Sequence, residues 1–278
     1  MGTDIPVDKP AAKTVVFVDN DLLISEAMSE VLRNKGYEVH LAHDGLEALQ
    51  AIRALKPSYV ILDIVLPKLD GSRVCWLIRQ DRNLRHTPII AFSGLGPQDI
   101  RRFPELSADA YVAKGPMAVV ANNLLLALKF LEEKGRGDFE GGIFGYEGFR
   151  PRQLITEMLF VKRHYESLIR TLALGVIEVD PDGRILMANP GACEILGKKE
   201  NRLIAESFPS LLPPKDRPVV QEILTELKKA RTREECRVPV SFGGKEVSVR
   251  FSSAVEEGAC TGILVTLEPI PVKAMSRR

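Results

Sequence analysis

The sequence predicts an α/β domain built on a doubly wound, five-stranded parallel sheet, followed by a small α+β domain with an antiparallel sheet. Three observations carry this reading. From Thr14 to about Glu133, five short apolar runs (TVVFV, YEVHLA, SYVIL, PIIAF and DAYVA) each precede a stretch of helical periodicity. Such repeats need crossover connections, which make the sheet parallel and cover both its faces with helices. After Leu174 the pattern switches to strand, turn, strand, then short helices, then three more strand-like runs.

The elements of residues 14–133 follow in order: TVVFVD and LISEAMSEVLRNKG, YEVHLA and GLEALQAIRAL, SYVILD and GSRVCWLIRQ, PIIAFS and PQDIRRF, ADAYVAK and MAVVANNLLLALKFLEE. VVFV and YVIL are apolar at every position, as strands buried on both faces should be. Residues 134–150 hold Gly135, Gly137, Gly141, Gly142, Gly145 and Gly148, and read as a linker. The aromatics Phe139, Phe144, Tyr146 and Phe149 are odd in a free coil.

Residues 151–173 form an amphipathic connecting helix, with Leu154, Met158, Val161, Tyr165, Leu168 and Leu172 at alternating steps of four and three. That is the spacing of a two-helix seam, although a helix packed on its own domain shows it too. Residues 174–270 make the second domain. GVIEVD and RILMAN flank the turn PDG; PGACEILGK, KENRLIAES and DRPVVQEILTELKKA are helical; ECRVPVSF and KEVSVRFSSAV meet at Gly243–Gly244, before GACTGILVTLE.

At 278 residues the chain is long enough for two domains, each with its own core. With 38 basic and 37 acidic residues there is no overall field to draw nucleic acid or an anionic membrane, so neither is an expected partner. Cys75, Cys193, Cys236 and Cys260 show no zinc or disulfide spacing, and no apolar run is long enough to span a bilayer. The expected location is the cytoplasm.

Asp19, Asp63, Ser93 and Lys114 each close an apolar run. In a doubly wound sheet ligands sit beyond the carboxyl ends of the strands, so with order 2-1-3-4-5 these side chains fall on one rim. Two acids, a hydroxyl and an amine suit phosphoryl transfer to a carboxylate. VVFVDND, VILDIVLPKLDG, PIIAFSG and AYVAKG resemble, in order, the four motifs of the response-regulator receiver family, over residues 14 to about 131. The resemblance implies a flavodoxin-like receiver in which Asp63 accepts a phosphoryl group from a sensor histidine kinase. It implies Mg²⁺ held by Asn20, Asp63 and the Val65 main-chain carbonyl, with Asp19 acting mainly through water. Lys114 would pair with the phosphate, Ser93 would hydrogen-bond it, and Tyr111 would swing inward with Ser93 as a two-state switch.

Two positions depart from the family's pattern. Asn20 stands where most members have an acid, so weaker Mg²⁺ attraction is expected; Gly115 replaces a proline and loosens the Lys114 loop. Residues 165 to about 269 resemble a PAS domain, with the DPDG turn and Asn189 ahead of a helix. His40, His43, His86 and His164 all precede residue 175, so no histidine of the PAS core is there to ligate haem. Cys193 reads as a small buried hydrophobe, Trp76 as core and KKARTR as a solvated helix end. The expected function is a two-component response regulator and phosphoacceptor, not an enzyme. Its output would be an altered contact with a downstream protein target, and a homodimer would form through helix 151–173 and the PAS domain. A phosphate-independent scaffold, and a small-molecule sensor working through the PAS domain, stay open on sequence alone.

Overall fold

The computed structural model describes residues 12–96, 106–134, 142–146, 153–242 and 245–270, with backbone only for 153–156. The chain divides into two compact units, Met1–Thr156 and Glu157–Arg278.

In the first unit the strands are β1 (Thr14–Val18), β2 (Glu38–Ala42), β3 (Tyr59–Asp63), β4 (Ile89–Ser93), β5 (Ala110–Ala113) and β6 (Ile143–Phe144). The described helices are α1 (Leu22–Asn34), α2 (Gly45–Leu55), α3 (Gly71–Gln80) and α4 (Met117–Lys134). Three aspartates start helices by accepting orphan backbone N–H groups: Asp21 from Leu23 and Ile24, Asp44 from Glu47, and Asp70 from Arg73. β3 and β4 are buried at every residue, as their unbroken apolar runs require. Val15, Phe17, Ile61, Ile90, Phe92 and Val112 point into a core closed by Leu124 and Leu128 of α4.

All ladders of this sheet are parallel, in the order β2-β1-β3-β4-β5-β6. The expected five-strand order is present, but the sheet has a sixth strand that corrects the reading of 134–150 as linker alone. Tyr111 N–H donates to the Gly142 carbonyl at 2.7 Å, and Tyr111 and Val112 pair with Ile143 and Phe144. The Phe144 ring meets Phe130 of α4 at 5.9 Å, nearly edge-on. An open β5 edge offers unpaired backbone groups, and satisfying them while covering two rings outweighs the poor strand propensity of a glycine-rich stretch. Gly145 has φ +80°, and a Cβ there would lie 2.4 Å from Asn123 Nδ2, so this glycine permits close approach rather than disorder. Phe139, Phe149 and the expected helix PQDIRRF lie outside the described residues.

The second unit opens within α5 (Gln153–Thr171) and continues through β7 (Gly175–Val179), β8 (Ile185–Ala188), α6 (Pro190–Leu196), α7 (Glu200–Leu203), a 3₁₀ turn (Phe208–Leu211), α8 (Arg217–Lys228), β9 (Glu235–Phe242), β10 (Lys245–Glu256) and β11 (Ala259–Pro269). Its sheet is antiparallel, in the order β8-β7-β11-β10-β9. Alternation puts Val249 and Phe251 of β10 and Val265 and Leu267 of β11 on one fully buried face, where Phe208 meets Phe251 at 5.7 Å. Asn189 is buried and ties three elements together. Its Oδ1 accepts from Val176 N–H at 2.8 Å and Ala192 N–H at 2.9 Å. Its Nδ2 donates to the carbonyls of Ile169, Leu172 and Leu174.

Two smaller expectations are corrected. Cys193, on the short helix α6, is half-buried. Trp76 is also half-buried rather than core: its ring carries the Arg73 guanidinium at 4.4 Å, an arrangement that keeps one face wet. Among the described residues no helix is long and apolar enough to cross a membrane.

Candidate functional site

The ends of β1, β3, β4 and β5 meet because the order β1-β3-β4-β5 makes them neighbours. Asp19 directly follows β1, Asp63 ends β3, Ser93 ends β4 and Lys114 directly follows β5. The Lys114 ammonium lies 2.7 Å from Asp63 Oδ2 and 2.8 Å from Asp19 Oδ2, bridging two carboxylates that are almost wholly buried. The other oxygens are held by backbone: Asp21 N–H donates to Asp19 Oδ1 at 3.0 Å, and Val65 N–H to Asp63 Oδ1 at 3.1 Å. Burial pushes the Asp63 carboxyl above the usual carboxylate range; Lys114 opposes that push and Asp19 adds to it.

Ser93 joins the cluster through the ladder. Lys114 N–H donates to the Ser93 carbonyl at 2.9 Å, and Ser93 Oγ accepts from Leu95 N–H at 3.0 Å. Tyr111 does not share the rim. It is buried three residues earlier on β5, and its hydroxyl donates to the Leu106 carbonyl at 2.6 Å. Asn20 is exposed beside buried Asp19, and Val65 is half-buried. Gly71 allows α3 to start hard against the site, since a Cβ there would fall 2.0 Å from the Asp63 carbonyl.

Sequence reasoning missed three supporting groups. Phe92, paired with Asp63 across β3 and β4, lies under Lys114 with Nζ 5.0 Å from its ring centre. His43 Nδ1 and Ser25 Oγ each lie 3.2 Å from the Asp19 carbonyl and hold the β1 turn from outside. Phe92 was detectable as the residue before the strand-end hydroxyl. His43 and Ser25 carry no local signal, because their role exists only once α1 and the end of β2 fold over β1.

Asp19 and Asp63 bring carboxylate oxygens together at the rim, with exposed Asn20 and half-buried Val65 following them in sequence. Carboxylate oxygens suit a hard divalent cation. Among the described residues no group of three or more His, Cys, Asp or Glu side chains gathers to hold a metal. With an amide at position 20, the rim carries one negative charge fewer than a third acid there would supply.

Residues 15–123 match the family model of the response regulator receiver domain, and residues 163–270 match that of the PAS fold. The chain carries a receiver domain followed by a PAS domain. The receiver domain's strand order and the PAS domain's antiparallel sheet agree with the fold read from the sequence. The DNA-binding dual master transcriptional regulator RpaA of Synechocystis sp. is 34% identical over 101 residues, 36% of this chain and 42% of that protein. The sensor histidine kinase TmoS of Ectopseudomonas mendocina is 24% identical over 245 residues, 80% of this chain and 23% of that protein. The chemotaxis response regulator CheY4 of Vibrio cholerae aligns with 26% identity and a TM-score of 0.40, covering 42% of this chain and 97% of that one. The chain thus spans less than half the length of these two curated relatives.

Proposed function

We propose that this protein is a phosphoacceptor of a two-component system in which Asp63 takes a phosphoryl group from a sensor histidine kinase. The observation that carries this is the Lys114 ammonium bridging Asp63 and Asp19 at neighbouring strand ends. An Asp63 carboxylate oxygen attacks phosphorus; the new P–O bond forms as the bond to the donor breaks, and the donor leaves with that electron pair. With the donor's imidazole as leaving group no net redox change occurs. Lys114 then pairs with the added negative charge, and the Ser93 hydroxyl, now accepting from Leu95, is placed to donate to a phosphoryl oxygen.

Mg²⁺ would be held by Asp63, Asn20 and the Val65 carbonyl, with Asp19 acting through water; when bound it neutralises phosphate charge. The reading includes a homodimer through α5 and a protein as downstream target. Support for the dimer is the row Met158, Val161, Tyr165, Leu168 and Leu172, all exposed in the single chain.

Acetyl phosphate with Mg²⁺, followed by intact mass, tests the reading. The wild-type chain gains one phosphoryl mass, Asp63→Ala gains none, and Asn20→Asp reaches half-maximal incorporation at lower Mg²⁺. A wild-type mass that stays unchanged rejects the phosphoacceptor role.

A further inference from the structure

Tyr111 joins the strand that ends at Lys114 to the edge strand β6. On one side it shares β5 with Lys114, whose ammonium is fixed by Asp63 and Asp19 and whose backbone is tied to Ser93. On the other it holds β6: its N–H reaches the Gly142 carbonyl, and its side chain lies within electrostatic reach of Tyr146. The Tyr146 hydroxyl oxygen is itself buried. Gly145, between Phe144 and Tyr146, would place a Cβ against Asn123 of α4 and within 3.6 Å of Ala113, the last residue of β5. Residues 142–146 therefore clasp the outer edge of the strand whose end carries Lys114. Only residues 147–152 separate Tyr146 from the start of α5.

We propose that residues 142–146 are a phosphorylation-sensitive strap, docked on β5 while Asp63 is a free carboxylate and released when Asp63 is phosphorylated. The inference rests on the phosphoacceptor reading of Asp63. A phosphoryl group moves negative charge outward from the β3 tip, so Lys114 must leave its present bridge to follow it. Ser93 must likewise turn its hydroxyl toward the new oxygens. Both movements act on the end of β5. A strand of two residues is the segment of the sheet that yields first, since it has the fewest ladder bonds and the least buried surface to lose. The strap lies six residues before α5 in sequence, and its release needs no second ligand. The coupling element is then a bistable contact biased by the charge at Asp63, which is the physical content of a switch.

Amide hydrogen exchange on the full chain, with phosphoryl incorporation read by intact mass in the same samples, tests this. Phosphorylation is expected to speed exchange at Tyr111 and across 142–146 about tenfold, the change that a shift of ~1.4 kcal/mol in the docking equilibrium produces. In Gly145→Val, a β-branched residue strained at φ +80° and crowding Asn123, those amides exchange fast before phosphorylation and change no further after it. Wild-type protein that takes the phosphoryl group with no change at these amides overturns the strap and leaves the phosphoacceptor role intact. Failure of wild type to take the group overturns both. The wild-type comparison stands even where Gly145→Val does not fold.

Discussion

Asp63 is held where a carboxylate is disfavoured, and its neighbours only partly relieve this. Its folded pKa lies above the value in an unfolded chain because burial and Asp19 outweigh Lys114. For an acid this means that the native state binds more protons, so stability falls as pH rises from the unfolded pKa through the folded one. The penalty is complete above that window and absent below it. Asp63→Asn removes it, so in metal-free buffer at pH 7 this variant should melt higher than wild type. The gap should close as pH drops below roughly 4, where the wild-type carboxyl is protonated in both states. Thermal melts across pH check this; an Asn variant that melts lower at pH 7 would mean that the Lys114 pairing outweighs burial. The acids and the lysine were legible in the sequence because each ends an apolar run. The supporting Phe92, His43 and Ser25 were less so, since nothing local marks the carbonyl or ammonium that they touch.

Helix α5 has two apolar rows, which accounts for the double reading its spacing allowed. Leu159 is 7% exposed and Ile169 half-buried, while Met158, Val161, Tyr165, Leu168 and Leu172 are 47–62% exposed. The first row belongs to the PAS unit, where Asn189 also grips the Ile169 and Leu172 carbonyls and Arg170 meets Glu200 at 3.2 Å. The second row is exposed among the described residues. Set as a two-stranded seam with Met158 and Tyr165 at a and Val161 and Leu168 at d, it places Glu157 at g and Lys162 at e, complementary charges in a parallel pair. Leu168→Asp should therefore halve the mass seen by light scattering while the PAS domain stays folded. A wild-type chain that is already monomeric at micromolar concentration would reject the seam. Strand β6 is the opposite case, an element that local signals argued against. Its glycines predicted a coil, and only the open β5 edge and the Phe130 ring made a strand of it.

Across the whole chain, the two units carry separate cores, so damage to one should leave the other standing. Asn189 offers the test. Replacing it with Ala strands two backbone N–H groups and three carbonyls, at a cost of about 3 kcal/mol to the PAS unit. Calorimetry should show one transition lowered by Asn189→Ala and a different one raised by Asp63→Asn. A single transition that responds to both would mean that the units unfold as one.

The five parallel strands of the receiver, the residues that end them and the presence of a second, antiparallel domain were all determined by the sequence alone. These features are written locally, in runs of apolar residues and in what terminates them. The tertiary structure decided the rest: that one ammonium serves two buried carboxylates, that the linker's middle extends the sheet, and that α5 keeps one apolar row exposed among the described residues. Each depends on which distant groups come within hydrogen-bonding or packing distance, and a one-dimensional pattern does not specify that.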